Sequence, residues 1–146
     1  MKKIGLGKLL RGIAATSQTS PVQWQPVGTP YPRLLGFNAT MLDGKSGLYA
    51  IWHLGVRPQW LRVGHAGDLG TATRQLMEAS WVKAHEANAG IFLAWAFVPL
   101  TQGMGFARDL AERLKPTFQS VSFPGDVALD EGVARASCPL PPGTTE

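Results

Sequence analysis

An apolar run of eight residues is the feature that most constrains the fold of this chain. Residues 91–98 read Ile-Phe-Leu-Ala-Trp-Ala-Phe-Val, and Pro99 follows them directly. The run is too short to span a membrane, and its length and closing proline favour a strand over a helix. We therefore predict a central, buried β-strand in a chain of 146 residues, which is long enough for one domain.

Two segments upstream of this run predict a β-hairpin. Residues 48–54 and 59–64 are rich in aromatic and branched apolar side chains, and a turn cluster at 43–47 precedes them. The short stretch Gly55–Pro58 suits the connection between the two strands. Residues 34–42 add several apolar side chains that we expect to cross the core as a strap.

Three further segments have helical patterns. Leu69, Ala72 and Leu76 recur at helical spacing after Asp68, which is a suitable N-cap. A second helix is predicted over about 79–88, and an amphipathic helix over 104–115 ends at a proline. The order of elements predicts a small α/β domain of the α+β type, with a mainly antiparallel, three-stranded sheet flanked by helices.

Composition divides the chain into three parts. Residues 1–33 form a basic arm rich in Pro, Ser and Thr, residues 34–119 form the domain, and residues 120–146 form an acidic tail rich in Pro and Gly. We expect both ends to be extended arms. The first 42 residues carry five basic side chains and no acid, whereas the rest of the chain carries nine basic and ten acidic side chains.

The basic arm has two interpretations. It suits contact with nucleic-acid phosphates or with an acidic protein surface, and its candidate contact residues are Lys2, Lys3, Lys8 and Arg11. The simpler alternative is a solvated, poorly ordered terminus. Two of these cations, Lys8 and Arg11, interrupt the stretch where a signal peptide would need an apolar core, so we expect no secretion by that route.

The single cysteine limits both the kinds of site and the cellular compartment that we expect for this chain. Cys138 excludes an internal disulfide framework and a four-cysteine zinc site. We expect the protein to be cytoplasmic or to lie within a virion or another nucleoprotein assembly, with no membrane contact.

Two tripeptides on the predicted hairpin carry a family resemblance. Gly47-Leu48-Tyr49 is similar to the Gly-Ile-Tyr motif of the GIY-YIG nuclease family, and Arg62-Val63-Gly64 is similar to its Tyr-Ile-Gly motif. The second motif continues with Ala66, Asp68 and Leu69, which match the family's small residue, polar residue and leucine. The spacing and the downstream order of elements also agree, so the chain resembles this family over about residues 46–119.

The resemblance implies a domain that grips nucleic acid and hydrolyses a phosphodiester with one divalent metal ion. The candidate catalytic residues are Tyr49 as the base, Arg74 as a phosphate ligand, His85, and Glu112 as the ligand of Mg²⁺. Arg62 is a further candidate for contact with nucleic acid.

Three departures from the family pattern affect these roles. Arg62 replaces the second tyrosine, Ala72 occupies the usual position of the arginine, and Ala107 occupies the position of the metal-binding glutamate. The ending Pro116-Thr117-Phe118-Gln119 resembles the family's Pro-x-aromatic-Asn sequence, with glutamine in place of asparagine.

These departures favour a domain with an incomplete catalytic set. The first hypothesis is therefore a binding or structural module associated with nucleic acid, for example in a phage particle, that needs no cofactor. The second is an active, Mg²⁺-dependent DNA endonuclease. The third is a protein-binding scaffold without nucleic-acid contact. The fold alone does not decide between these hypotheses, because one fold can carry different chemistry.

Overall fold

The chain folds as a sheet with helices on both faces. A computed structural model describes residues 22–27, 30–53, 59–88, 90–120 and 134–140. A short 3-10 helix, Ala39–Leu42, precedes the main elements. These are β1 (Gly47–His53), β2 (Gln59–Ala66), α1 (Leu69–Glu78), α2 (Ser80–Asn88), β3 (Ile91–Phe97) and α3 (Leu100–Leu114).

The three strands form one antiparallel sheet in the order β2-β1-β3. The predicted pairing of the two tripeptides is confirmed, since Tyr49 lies opposite Gly64 on the neighbouring strand. The predicted α+β class is confirmed as well. The connection between β1 and β2, predicted at Gly55–Pro58, lies outside the described residues.

The prediction that residues 91–98 form the central strand is wrong. The strand exists, as Ile91–Phe97, but it lies at one side of the sheet and β1 lies in the middle. Its outer side is covered by two isolated bridges, from Gln25 to Trp95 and from Arg33 to Phe92. The burial that the apolar run predicts comes from the two cores that cover the faces of this strand, while the bridging segments cover its edge.

The sheet separates two apolar cores. Residues such as Leu48, Ala50 and Val63 face α3, together with Phe106 and Leu110 from that helix. The other face carries Tyr49, Ile51, Leu61, Leu93 and Trp95 against α1, α2 and the strap at 34–42. Because neighbouring residues of a strand point to opposite faces, each motif tripeptide contributes to both cores.

The helix boundaries follow local chemistry. Asp68 caps α1 as predicted, and its carboxylate accepts a hydrogen bond from Thr71 N at 3.2 Å. The helix predicted over 104–115 begins four residues earlier, at Leu100, because Pro99 is a suitable residue before a first turn. It ends at Leu114, and the capping residue Lys115 adopts the left-handed conformation before Pro116. None of the helices in the described ranges has the length and apolar character that crossing a bilayer requires.

Parts of both terminal segments are attached to the domain. Val22 and Trp24 are buried in the core beneath α3, and Cys138 joins them there. The indole nitrogen of Trp24 donates to the carbonyl of Pro139 at 2.7 Å, so the two segments meet. Burial raises the pKa of the Cys138 thiol to about 12, with the nearby Asp109 carboxylate adding to the effect. The thiol is therefore protonated at neutral pH and is a weak nucleophile.

A buried carboxylate on α3 anchors the C-terminal segment. Asp109 accepts hydrogen bonds from Arg113 at 3.0 Å, from Arg135 at 2.8 Å and from the Cys138 backbone N–H at 2.9 Å. Burial alone would raise the pKa of Asp109, but the hydrogen bonds from Arg135, Cys138 and Arg113 outweigh it and lower the pKa. The charged form of this side chain therefore stabilises the folded state.

We predict that Asp109→Asn lowers the free energy of unfolding by about 2–3 kcal/mol at pH 7. A depressed pKa stabilises the fold above the unfolded pKa, and this stabilisation is lost as pH falls through the folded value. The difference between wild type and variant should therefore shrink below about pH 4. Urea unfolding at a series of pH values measures it. Glu112→Gln, at a more exposed acid of the same helix, is the control, and an equal loss in both variants would contradict the anchoring role.

Candidate functional site

A buried hydrogen bond joins one residue from each of the two tripeptides that carry the family resemblance. The Nε of Arg62 donates to the hydroxyl of Tyr49 at 2.8 Å. Both side chains lie on the sheet face that carries α1 and α2, because Arg62 pairs with Ile51, two residues along the strand from Tyr49. The exposed fraction is 1% for Tyr49 and 4% for Arg62. The pair is thus an internal feature of the domain.

The segment after α3 closes around the same guanidinium. Arg62 Nη1 donates to the carbonyl of Phe118 at 2.8 Å and to that of Gln119 at 3.2 Å. The Gln119 side chain accepts from Val63 N at 3.0 Å and donates to Val63 O at 2.6 Å. Phe118 N also donates to Leu61 O at 2.8 Å, so residues 117–119 line the outer side of β2.

Apolar side chains cover Tyr49. The strap contributes Leu34 and Leu42, which are fully buried in the same core. Phe37 packs against Trp95 with ring centroids 5.2 Å apart, and Trp81 stacks on Phe118 at 4.4 Å. The space around the Tyr49 side chain is therefore filled by other side chains of the domain.

Arg74 lies on the exposed side of α1. Its guanidinium makes a two-point ion pair with the carboxylate of Asp43, with N–O distances of 2.7 and 3.0 Å. The hydrogen bond from Arg74 lowers the pKa of Asp43. A Cβ at Gly70 would lie 2.1 Å from Asp43 Oδ1, so the glycine leaves the room in which this pair forms. The pair attaches the turn before β1 to the helix.

His85 belongs to an aromatic group at the end of α2. Its Nδ1 lies 3.0 Å from the carbonyl of Trp81, which requires a proton on that nitrogen. The ring lies edge-on to Phe118 with centroids 5.1 Å apart, and 5.6 Å from the ring of His53. His85 thus shares a sheet face with Tyr49, while Phe118 lies against its ring.

Glu112 lies on the other side of the sheet from Tyr49, since α3 covers the opposite face. Its two carboxylate oxygens pair with Arg108 at 2.6 Å and with Arg135 at 3.1 Å. The hydrogen bond from Arg108 lowers the pKa of Glu112. Two guanidinium groups occupy this carboxylate, and the described ranges hold no group of three His, Cys, Asp or Glu side chains placed to bind a metal. As arranged here, these residues do not fit a Mg²⁺ site.

The proposed contacts of the basic arm, Lys2, Lys3, Lys8 and Arg11, lie outside the described residues. Of the other candidates, the structure brings Tyr49 and Arg62 together and places His85 on their side of the sheet. Arg74 and Glu112 belong to separate ion pairs. The sequence reasoning missed the Asp109 anchor, although the i,i+4 spacing of Asp109 and Arg113 was a signal for part of it.

Comparison of the chain with protein-family models, curated proteins and solved structures found no significant match.

We predict that Tyr49→Phe destabilises the protein by about 1–3 kcal/mol, because it removes a buried acceptor from a buried guanidinium. The chain offers a matched control in its other tyrosine, Tyr31, which packs edge-on against Trp52 at 5.1 Å. Tyr31→Phe should change the free energy of unfolding by much less. Urea denaturation followed by tryptophan fluorescence measures both, and similar small effects would contradict a structural role for the Tyr49 hydroxyl.

Proposed function

We propose that this chain is a GIY-YIG-like domain that does not hydrolyse phosphodiesters and acts as a binding or structural module associated with nucleic acid. The proposal that the chain does not hydrolyse phosphodiesters rests on the separation of the candidate catalytic residues in the structure. Tyr49 is hydrogen-bonded to Arg62 inside one core, whereas Glu112 lies beyond the sheet between two arginines.

The order of elements supports the kinship with that family. The two motif strands are neighbours, two helices follow them, and a third strand leads into α3. Gln119, at the position of the family's asparagine, attaches the end of this unit to β2 through Val63.

The burial of Tyr49 argues against hydrolysis. A general base must come within hydrogen-bond reach of the water that it activates. The Tyr49 hydroxyl is buried and accepts a hydrogen bond from the permanently charged guanidinium of Arg62. The other described hydrogen bonds of Arg62 go to the carbonyls of Phe118 and Gln119. A phosphate would have to displace the strap at 34–42 and the segment at 117–119 to reach either group.

The charge distribution supports association with nucleic acid. Four cations precede residue 22, where the described chain begins, and no acid accompanies them. Each lysine or arginine that neutralises a phosphate releases a counterion, which gives binding a steep dependence on salt. An acidic protein surface could use the same charges, and the measurements below separate the two.

We predict no Tyr49-dependent cleavage of DNA. Supercoiled plasmid incubated with the full chain and Mg²⁺ or Mn²⁺ should stay intact, as should plasmid incubated with Tyr49→Phe or Glu112→Gln. Gel electrophoresis detects nicked and linear products. Cleavage by the wild type that both substitutions abolish would support the endonuclease hypothesis and refute this proposal.

We predict that the full chain binds nucleic acid with a salt dependence that the arm supplies. Removing residues 1–21 should reduce the slope of log K against log salt by roughly 3, if all four cations contact phosphates. The truncation begins at Val22 because that residue is part of the core. Fluorescence anisotropy with short single-stranded and duplex DNA measures the slope. An absence of binding at low salt would leave the protein-binding scaffold as the better account.

A further inference from the structure

An open depression lies at the edge of the domain, where β1 begins and β3 ends. It has a volume of about 520 Å³ and is lined by Gly44, Lys45, Ser46, Phe97, Val98 and Pro99. It adjoins neither the buried Tyr49–Arg62 pair nor the ion pairs of Glu112. The proposed function so far assigns no role to it.

The walls of the depression are held by main-chain contacts and by one side-chain hydrogen bond. Lys45 N donates to Leu42 O at 3.2 Å, and Lys45 O accepts from Leu69 N at 2.8 Å. On the other wall, Phe97 pairs with Gly47 in the sheet, and the Ser46 hydroxyl donates to Val98 O at 2.9 Å. The two walls therefore keep their spacing without a ligand.

The two side chains that distinguish the depression are a cation and an exposed aromatic ring. Lys45 Nζ lies 5.8 Å from the centroid of the Phe97 ring, and 44% of Phe97 is exposed. Among the residues that the structure describes, no carboxylate is within ion-pair distance of Lys45. The nearby acids are engaged elsewhere, since Asp43 pairs with Arg74 and Asp68 accepts from Gly44 N.

We propose that this depression is a subsite for one nucleotide of a single-stranded nucleic acid. Lys45 Nζ lies over the Phe97 ring in the free protein, so a phosphate of the strand draws the ammonium off the ring and a base of the same strand stacks in its place. An aromatic platform beside a basic group is the combination by which proteins hold single strands. A duplex suits the site less well, because its bases are already stacked on one another. The inference rests on the proposed association with nucleic acid and assigns part of it to the folded domain.

The test uses the full chain, with fluorescent oligo-dT, oligo-rU and a DNA duplex as probes. Phe97→Leu keeps an apolar side chain but removes the ring, and it should weaken binding of both single strands at least fivefold. Lys45→Gln should weaken binding and reduce the salt slope by about 0.7. Duplex binding, which the arm supplies, should change little in both variants.

Two control variants separate the subsite from general effects. Lys83→Gln removes another exposed lysine, on α2, and should leave the affinity for single strands unchanged. Leu100→Ala removes an exposed apolar side chain at the start of α3, outside the lining of the depression, and should also have no effect. Photo-crosslinking of an oligonucleotide that contains 5-iodouracil should attach it to the peptide that includes Phe97.

The outcomes distinguish the subsite from the proposed function. Single-strand binding that survives both Phe97→Leu and Lys45→Gln would overturn the subsite and leave the proposed function intact. A loss of affinity in Leu100→Ala that equals the loss in Phe97→Leu would overturn the stacking role in favour of an undirected apolar contact. If the full chain binds none of the probes at low salt, the proposed function fails, and the subsite fails with it.

Discussion

A guanidinium can be buried in a small core only when acceptors are available for its N–H groups. The buried side chain of Arg62 therefore requires acceptors from other parts of this domain. Its described partners come from two places along the chain: the Tyr49 hydroxyl on β1, and the carbonyls of the neighbouring residues Phe118 and Gln119 after α3. Satisfying one side chain therefore fixes the position of β1 relative to β2 and brings the end of the last helix back to the sheet. The strap then covers what those contacts leave exposed.

The other face of the sheet also holds a buried charged group that connects distant segments of the chain. There the buried group is the acid Asp109, and its arginine partners come from α3 and from the C-terminal segment. Each core thus holds one charged group that joins segments distant in sequence. Tyr49 belongs to the first network, whereas Arg135, which also pairs with Glu112, belongs to the second.

Local patterns predicted the elements and the pairing of the two motif strands, because turn signals and apolar runs act over a few residues. They did not predict strand order, since an apolar run such as Ile91–Phe97 looks the same whether another strand or the bridging residues Gln25 and Arg33 cover it. The separation of Tyr49 from Glu112 depends on which face of the sheet α3 covers. Local sequence patterns do not show which face a helix covers. The Lys45–Phe97 depression joins the turn before β1 to the end of β3, which only the folded sheet brings together.

Both outer strands of the sheet have neighbours other than strands. Residues 117–119 lie along β2, and Gln25 and Arg33 lie along β3. Exposed strand edges are templates for uncontrolled pairing between molecules, which leads to aggregates and swapped dimers. Where these segments lie, the backbone of the edge strands is already paired, which works against continuous growth of the sheet into a fibre.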